Sequence, residues 1–362
     1  MDQPDYAALR SSIPFSYHVS ATYLALLDAT RIPIKAMFLE PEAGVELYRR
    51  GRPLIRELYG EKIGLPAPIT APVSYGHVNT LGAELIFPDD GEVNLETGAS
   101  TLAEGIAMLE RPVDFARSGM FPFYRDYFQI LRRAFPDEAV GFGFKSEGPM
   151  TTGYLLRRDG FFFDPYDNPE ETKKFLALIV RSVVGYIQCV NQVIYDKPAT
   201  GKLPSFGIAD DVGAMFNPDL WDEFVLPYYN LEFDAFTDRQ RTMHIEDLRP
   251  AHLPFLEKLR LVNYDPSVSP RLTPKIISEN TRVPFQWRLC NFQYPAMSAN
   301  DVKNWVFRAA ADGASSVVSY VCQGMYNAES AVKVHAFIEA AEATRKALDQ
   351  GAGRADIARF IA

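Results

Sequence analysis

Residues 203–248, LPSFGIADDVGAMFNPDLWDEFVLPYYNLEFDAFTDRQRTMHIEDL, hold the alternation that decides the fold. The segment opens on a short β-rich run, LPSFGIA, and stops at the adjacent acids Asp210 and Asp211. It restarts at Asn217-Pro218 and returns to a second β-rich run, TMHIE. Asn is a favoured helix cap and Pro is tolerated at the first helical position, where its missing N–H would be unpaired anyway, so a helix begins there. A strand, a helix and a second strand in that order make a crossover unit, which joins parallel strands.

The same alternation continues on both sides. APVSYGH (71–77) and AVGFGFK (139–145) precede the segment, LVNYD (261–265), VPFQWRLC (283–290) and SSVVSYVC (315–322) follow it, and Asn168-Pro169 opens another helix. Seven candidate strands result, with ELIFPDDGEVNLE (84–96) reading as an extended or hairpin excursion. The pattern does not place the eighth strand that would close a barrel. A doubly wound open sheet stays an alternative, although such sheets usually carry a Gly-rich turn after the first strand and no G-x-G-x-x-G or Walker-type loop occurs here. Before residue 70 the spacing turns helical, as in YLALLDATRIPIKAMFLEPEAGVELYRRGRPLIRELYG, with breaks at Pro33 and Gly51 to Pro53. The expected organisation is an N-terminal helical extension over 1–65, a catalytic domain over 66–348, and a short, loosely held tail over 349–362.

The chain has 362 residues, 47% hydrophobic and 23% charged, a size that suits one α/β barrel with insertions. Its net charge of -9, without a Lys/Arg cluster, argues against nucleic acid and anionic membrane surfaces as partners. No basic leader and no run of about eighteen uninterrupted apolar residues occur, so a soluble, cytoplasmic protein is expected. Three cysteines, at 189, 290 and 322, are an odd number in a long chain and leave thiols free for metal.

His244, Glu246 and Cys322 are the candidate metal ligands. If MHIE is a strand, its alternation turns His244 and Glu246 to the same side, while Cys322 ends a later strand and can face them. A neutral imidazole, a carboxylate and a thiolate balance the charge of Zn2+ and leave a fourth position for substrate, the layout of a catalytic site. A lone strand histidine is more often structural, so the reading rests on the set. Cys290 is a competing thiol, and Cys189, within a helical run, reads as packing.

In order, LGAELIFPDDGE, EGPMTTGYLL, ADDVGAMFNPDLWDEFVLPYY, MHIEDL and the Cys322 segment make the chain similar to the uroporphyrinogen decarboxylase superfamily. Within it, the chain resembles the corrinoid-dependent methyltransferase branch. The resemblance covers roughly residues 70 to 345 and implies a (β/α)8 TIM barrel. That branch binds zinc through His-x-Cys and a distant third Cys, which maps His244 and Cys322 onto ligands and puts Glu246 where the first Cys would stand. A harder donor suits an oxygen substrate, so an aromatic methyl ether is the expected methyl donor. The implied activity is methyl transfer between that small molecule and the cobalt of a corrinoid (cobalamin). No Asp-x-His-x-x-Gly motif is present, so the corrinoid should be carried by a separate protein. A homodimer is the other partner considered.

Around the metal, Asp210 and Asp211 at a strand end are candidate catalytic acids, with helix capping an equal alternative. Glu147, before Gly148-Pro149, is a third candidate acid. Tyr75, His77, Trp287, Asn291, Met325 and Tyr326 are the candidate substrate-binding residues, although core packing is the default for any single aromatic. Three other functions stay open: methyl delivery from methylcorrinoid to a thiol or folate, decarboxylation of a porphyrinogen, and a non-catalytic corrinoid-binding barrel. Decarboxylation is disfavoured by the missing Arg-rich N-terminal segment and the net negative charge.

Overall fold

The computed structural model describes residues 3–96 and 99–362, so the first two residues of the expected extension lie outside the described residues. In chain order its strands are β1 (Ser16–Ala21), β2 (Glu84–Ile86), β3 (Asn94–Glu96), β4 (Ser205–Ala209), β5 (Gln240–His244), β6 (Leu261–Asp265), β7 (Gln286–Leu289) and β8 (Ser316–Val321). The chain is a mixed α/β protein in two compact units, each discontinuous in sequence. The first comprises 33–45 and 67–245, and the second comprises the residues up to 32, 46–66 and 246–362.

In the first unit β4 and β5 pair in parallel, from Ser205 opposite Gln240 to Ala209 opposite His244. The expected strands at 71–77 and 139–145 are extended but thinly paired, through parallel bridges Ile69 to Gly141 and Val73 to Phe144. Glycines there allow close backbone approach: a Cβ on Gly143 would stand 2.2 Å from the Thr70 carbonyl oxygen. The excursion at 84–96 is an antiparallel hairpin, with Leu85 opposite Leu95. Helix Pro169–Val193 is long and apolar enough by composition to cross a membrane. Its buried residues include Thr172, Phe175, Leu176, Ile179, Val183 and Tyr186, the three-and-four spacing of a helix that packs one face inside this unit.

In the second unit β1, β8 and β7 form one parallel sheet in that order. A bridge from Tyr264 to Phe285 brings in β6, and another from Ser20 to Gly64 extends the other edge. Here the structure departs from the sequence expectation for the N-terminal region. Helices Tyr6–Ser12, Tyr23–Thr30 and Pro41–Tyr59 are present, but β1 lies among them. SYHVSA alternates over only six residues and turns just Val19 and Ala21 into the core, too weak a signal beside the helical spacing that follows. The tail also differs from a loosely held end. Ile357 is fully buried, Arg354 Nη1 donates to the Ala314 carbonyl at 2.8 Å, and Asn304 exchanges hydrogen bonds with the backbone of Ala362.

Candidate metal centre

Met243 and Ile245 are buried, while His244 and Glu246 between and beyond them are half-buried. The strand alternation therefore continues past the end of β5 and turns both polar side chains to the same side. Asp211 follows β4, the neighbour of β5, and its carboxylate lies 3.6 Å from His244 Nε2. Donor atoms of Asp211, His244 and Glu246 all lie within 4.8 Å of one another. Glu246 is two residues from His244 on one continuous segment, so the chain itself sets its place. An imidazole nitrogen and two carboxylate oxygens carry two negative charges, and that donor set suits a divalent ion such as zinc. The residues therefore fit the metal, with Asp211 joining the two ligands read from β5.

Asp210 and Asp211 are adjacent yet differ in environment. Asp210 is fully buried and accepts from the backbone N–H groups of Met150 (2.8 Å) and Thr151 (2.7 Å) and from the Thr151 hydroxyl (2.7 Å). It thus caps the N-terminus of helix Pro149–Arg157 from a different element. A Cβ at Gly148 would stand 2.6 Å from Asp210 Oδ2, so glycine is what lets the carboxylate reach the helix. Burial lifts the Asp210 carboxyl to about 7 against these hydrogen bonds.

Glu147 follows the extended 141–145 segment and lies near the same group. Burial pushes its carboxyl up to about 8, with the Asp210 and Asp211 charges adding to the rise and the Ser74 hydroxyl and His244 opposing it. It is a protonated acid near neutrality. Tyr75 lies close enough to Glu147 for that charge, after burial, to raise its phenol. His77 does not join them. It is fully buried, bonded through Nε2 to Ser182 Oγ at 2.8 Å and packed against Phe115 and Tyr186, and burial lowers its pKa to about 3. The rim position read from the end of APVSYGH is corrected: Gly76–Thr80 is helical and carries His77 into the core.

The remaining candidates belong to the second unit, at the carboxyl ends of its strands. Cys322, after β8, is half-buried and receives the Thr22 hydroxyl at 3.6 Å; it is not part of the Asp211–His244–Glu246 group. Cys290, after β7, is buried, and its thiol is raised to about 11 by burial first and then by the charges of Glu246, Asp265 and Cys322, against Arg288. Asn291 ties the ends of β7 and β8 together through Nδ2 to the Gln323 carbonyl at 3.1 Å. Met325 is buried and Tyr326 half-buried in the loop after β8, while Trp287 lies on β7 itself. Arg288, held by Asp265 at 2.8 Å and close enough to Cys290 to oppose the rise of its thiol, was passed over by sequence reading. So was Glu232, buried on helix Leu226–Phe236. Its signal was available: Glu232 stands three residues after Tyr229 and four before Phe236, on the apolar face.

A mixed α/β chain that gathers acids and an imidazole beyond the ends of parallel strands is built like an enzyme. The chain belongs to the uroporphyrinogen decarboxylase (URO-D) family, whose model matches residues 74–344. No curated protein matches it by sequence. Among the solved structures, it is similar to a methyltransferase from Methanosarcina mazei at 17% identity and a TM-score of 0.64, covering 93% of this chain and 97% of that one. At that identity the likeness shows a shared fold.

Proposed function

We propose that this protein is a zinc-dependent methyltransferase of the URO-D family that takes a methyl group from a small methylated substrate, an aromatic methyl ether, to the cobalt of a corrinoid carried by a separate protein. The observation that carries the reading is the convergence of Asp211, His244 and Glu246 within 4.8 Å at a strand end. In this reading the parallel strands of the two units form a single (β/α)8 barrel, with β1 among its strands, and the shared fold of a methyltransferase supports the reaction class.

Asp211, His244 and Glu246 would hold the zinc, with Cys322 the competing third donor. Bound there, the ion supplies Lewis acidity toward an ether oxygen, and the reduced corrinoid supplies the methyl acceptor. The chain's own residues do the rest. Glu147, a carboxyl whose pKa burial raises, is the acid placed to deliver a proton to the departing oxygen, so that an alcohol or phenol leaves rather than its anion. Asp210 fixes the helix that follows Glu147 and so positions that acid. Tyr75 lines the approach beside Glu147, and Trp287, Asn291, Met325 and Tyr326 are the proposed substrate contacts from the second unit. Delivery of a methyl group to a thiol or folate would need no such acid.

The test mixes zinc-loaded protein with reduced cobalamin and, separately, methoxylated aromatics, methylamines and thiols, and follows methylcobalamin by absorbance. Methylation from ethers alone is expected. Inactivity with every donor at full metal occupancy would defeat the reading.

A further inference from the structure

Beside Glu147 the first unit holds a second feature, a partly open cavity of about 260 Å³. Its walls come from the 142–148 segment, from β4, and from helices Pro169–Val193 and Leu226–Phe236, and they include Phe142, Phe144, Tyr186, Val190 and Phe206. Among these rings and aliphatic groups stands the Glu232 side chain. Glu232 is 3% exposed, and its Oε2 is buried with no hydrogen-bond partner among the described residues. A buried carboxyl left in this way costs free energy that a folded chain normally avoids by pairing it. No described Arg or Lys is bonded to it. Lys145 lines the cavity too, but it is an exposed residue, and Glu147 leaves the lining with two acids to one base.

We propose that this cavity binds a small aromatic primary ammonium, with the cationic nitrogen donating to the Glu232 carboxylate and the ring seated among Phe142, Phe144, Tyr186 and Phe206. Size, shape and charge agree on that class. An apolar cavity of about 150 Å³ holds one benzene, so the larger volume here leaves room for a ring and a one-carbon arm. The faces of aromatic rings favour a cation over a neutral or anionic group of the same size. A buried carboxyl that lacks a partner gains most from a ligand that brings both charge and N–H donors. None of the metal ligands lines the site, although Glu147 does, and the ammonium proposal does not depend on the methyl-transfer reading.

Benzylammonium is the probe, titrated calorimetrically into the purified full-length chain, with benzyl alcohol as the neutral counterpart of the same shape. Wild type should bind benzylammonium. Glu232→Gln should weaken that binding at least tenfold while leaving any benzyl alcohol binding within about twofold, because the side chain keeps its shape and cannot become the carboxylate that pairs with the ammonium. Val190→Trp, which fills the cavity, should abolish binding of both. The glutamine variant removes a buried acid and should melt no lower than wild type, so loss of binding in it cannot be assigned to unfolding. Absence of benzylammonium binding to wild type, equal binding by Glu232→Gln, or undiminished binding by Val190→Trp would each overturn the proposal.

Discussion

His244 and Glu246 share a side of the chain because Met243 and Ile245, on the other side, are buried. That alternation was legible in TMHIE, and it made the pair candidate metal ligands. The third donor was not legible. Asp211 and Cys322 both end strands, and only pairing of β4 with β5 shows that Asp211 is carried next to His244. Asp211→Asn removes a charged donor and should lower zinc affinity at least tenfold, whereas Cys322→Ala should keep stoichiometric metal. Metal analysis after dialysis measures both, and the opposite pattern would restore the thiolate as third ligand. His77 offers a prediction about stability. Burial depresses its pKa to about 3, while the unfolded chain takes up that proton near 6.5. Its contribution is therefore complete above pH 6.5 and is lost as the pH falls toward 3. Between pH 7 and 5, wild type should lose about 2 kcal/mol more than His77→Gln in denaturant unfolding.

Among the elements, β4 to β8 were readable because each is a compact β-rich run bounded by turn residues. β1 was not, since six alternating residues between helices give little pattern. Asp210 shows the limit of element-level reading in another way. An acid at a strand end before a helix suggests a local cap, but Asp210 caps helix Pro149–Arg157, about sixty residues earlier in the chain. No sequence spacing announces that partnership. Asp210→Ala leaves two backbone N–H groups and the Thr151 hydroxyl without their acceptor and should cost about 2–4 kcal/mol of stability. Because Asp210 lies outside the metal group, the variant should still bind zinc stoichiometrically at low temperature. Loss of metal with stability unchanged would instead make Asp210 a ligand.

For the whole molecule, the question is whether the two units are halves of one barrel. In each unit the polar candidates follow the carboxyl ends of parallel strands: Asp211 and His244 in the first, Cys290 and Cys322 in the second. Parallel strands are stable only when paired and covered on both faces, so a half barrel would leave unpaired strand edges and exposed core. Neither half should then hold together without the other. Tryptophans report on each half separately: Trp221 is fully buried in the first unit, and Trp305 packs against Phe337 in the second. Two variants, one keeping only Trp221 and one keeping only Trp305, allow each unit to be followed by its own fluorescence in urea. In each variant, the single-barrel proposal expects the retained tryptophan and far-ultraviolet dichroism to give one midpoint. If Trp305 reported a midpoint well apart from the dichroism while Trp221 agreed with it, the second unit would fold independently, and the single-barrel reading would fail.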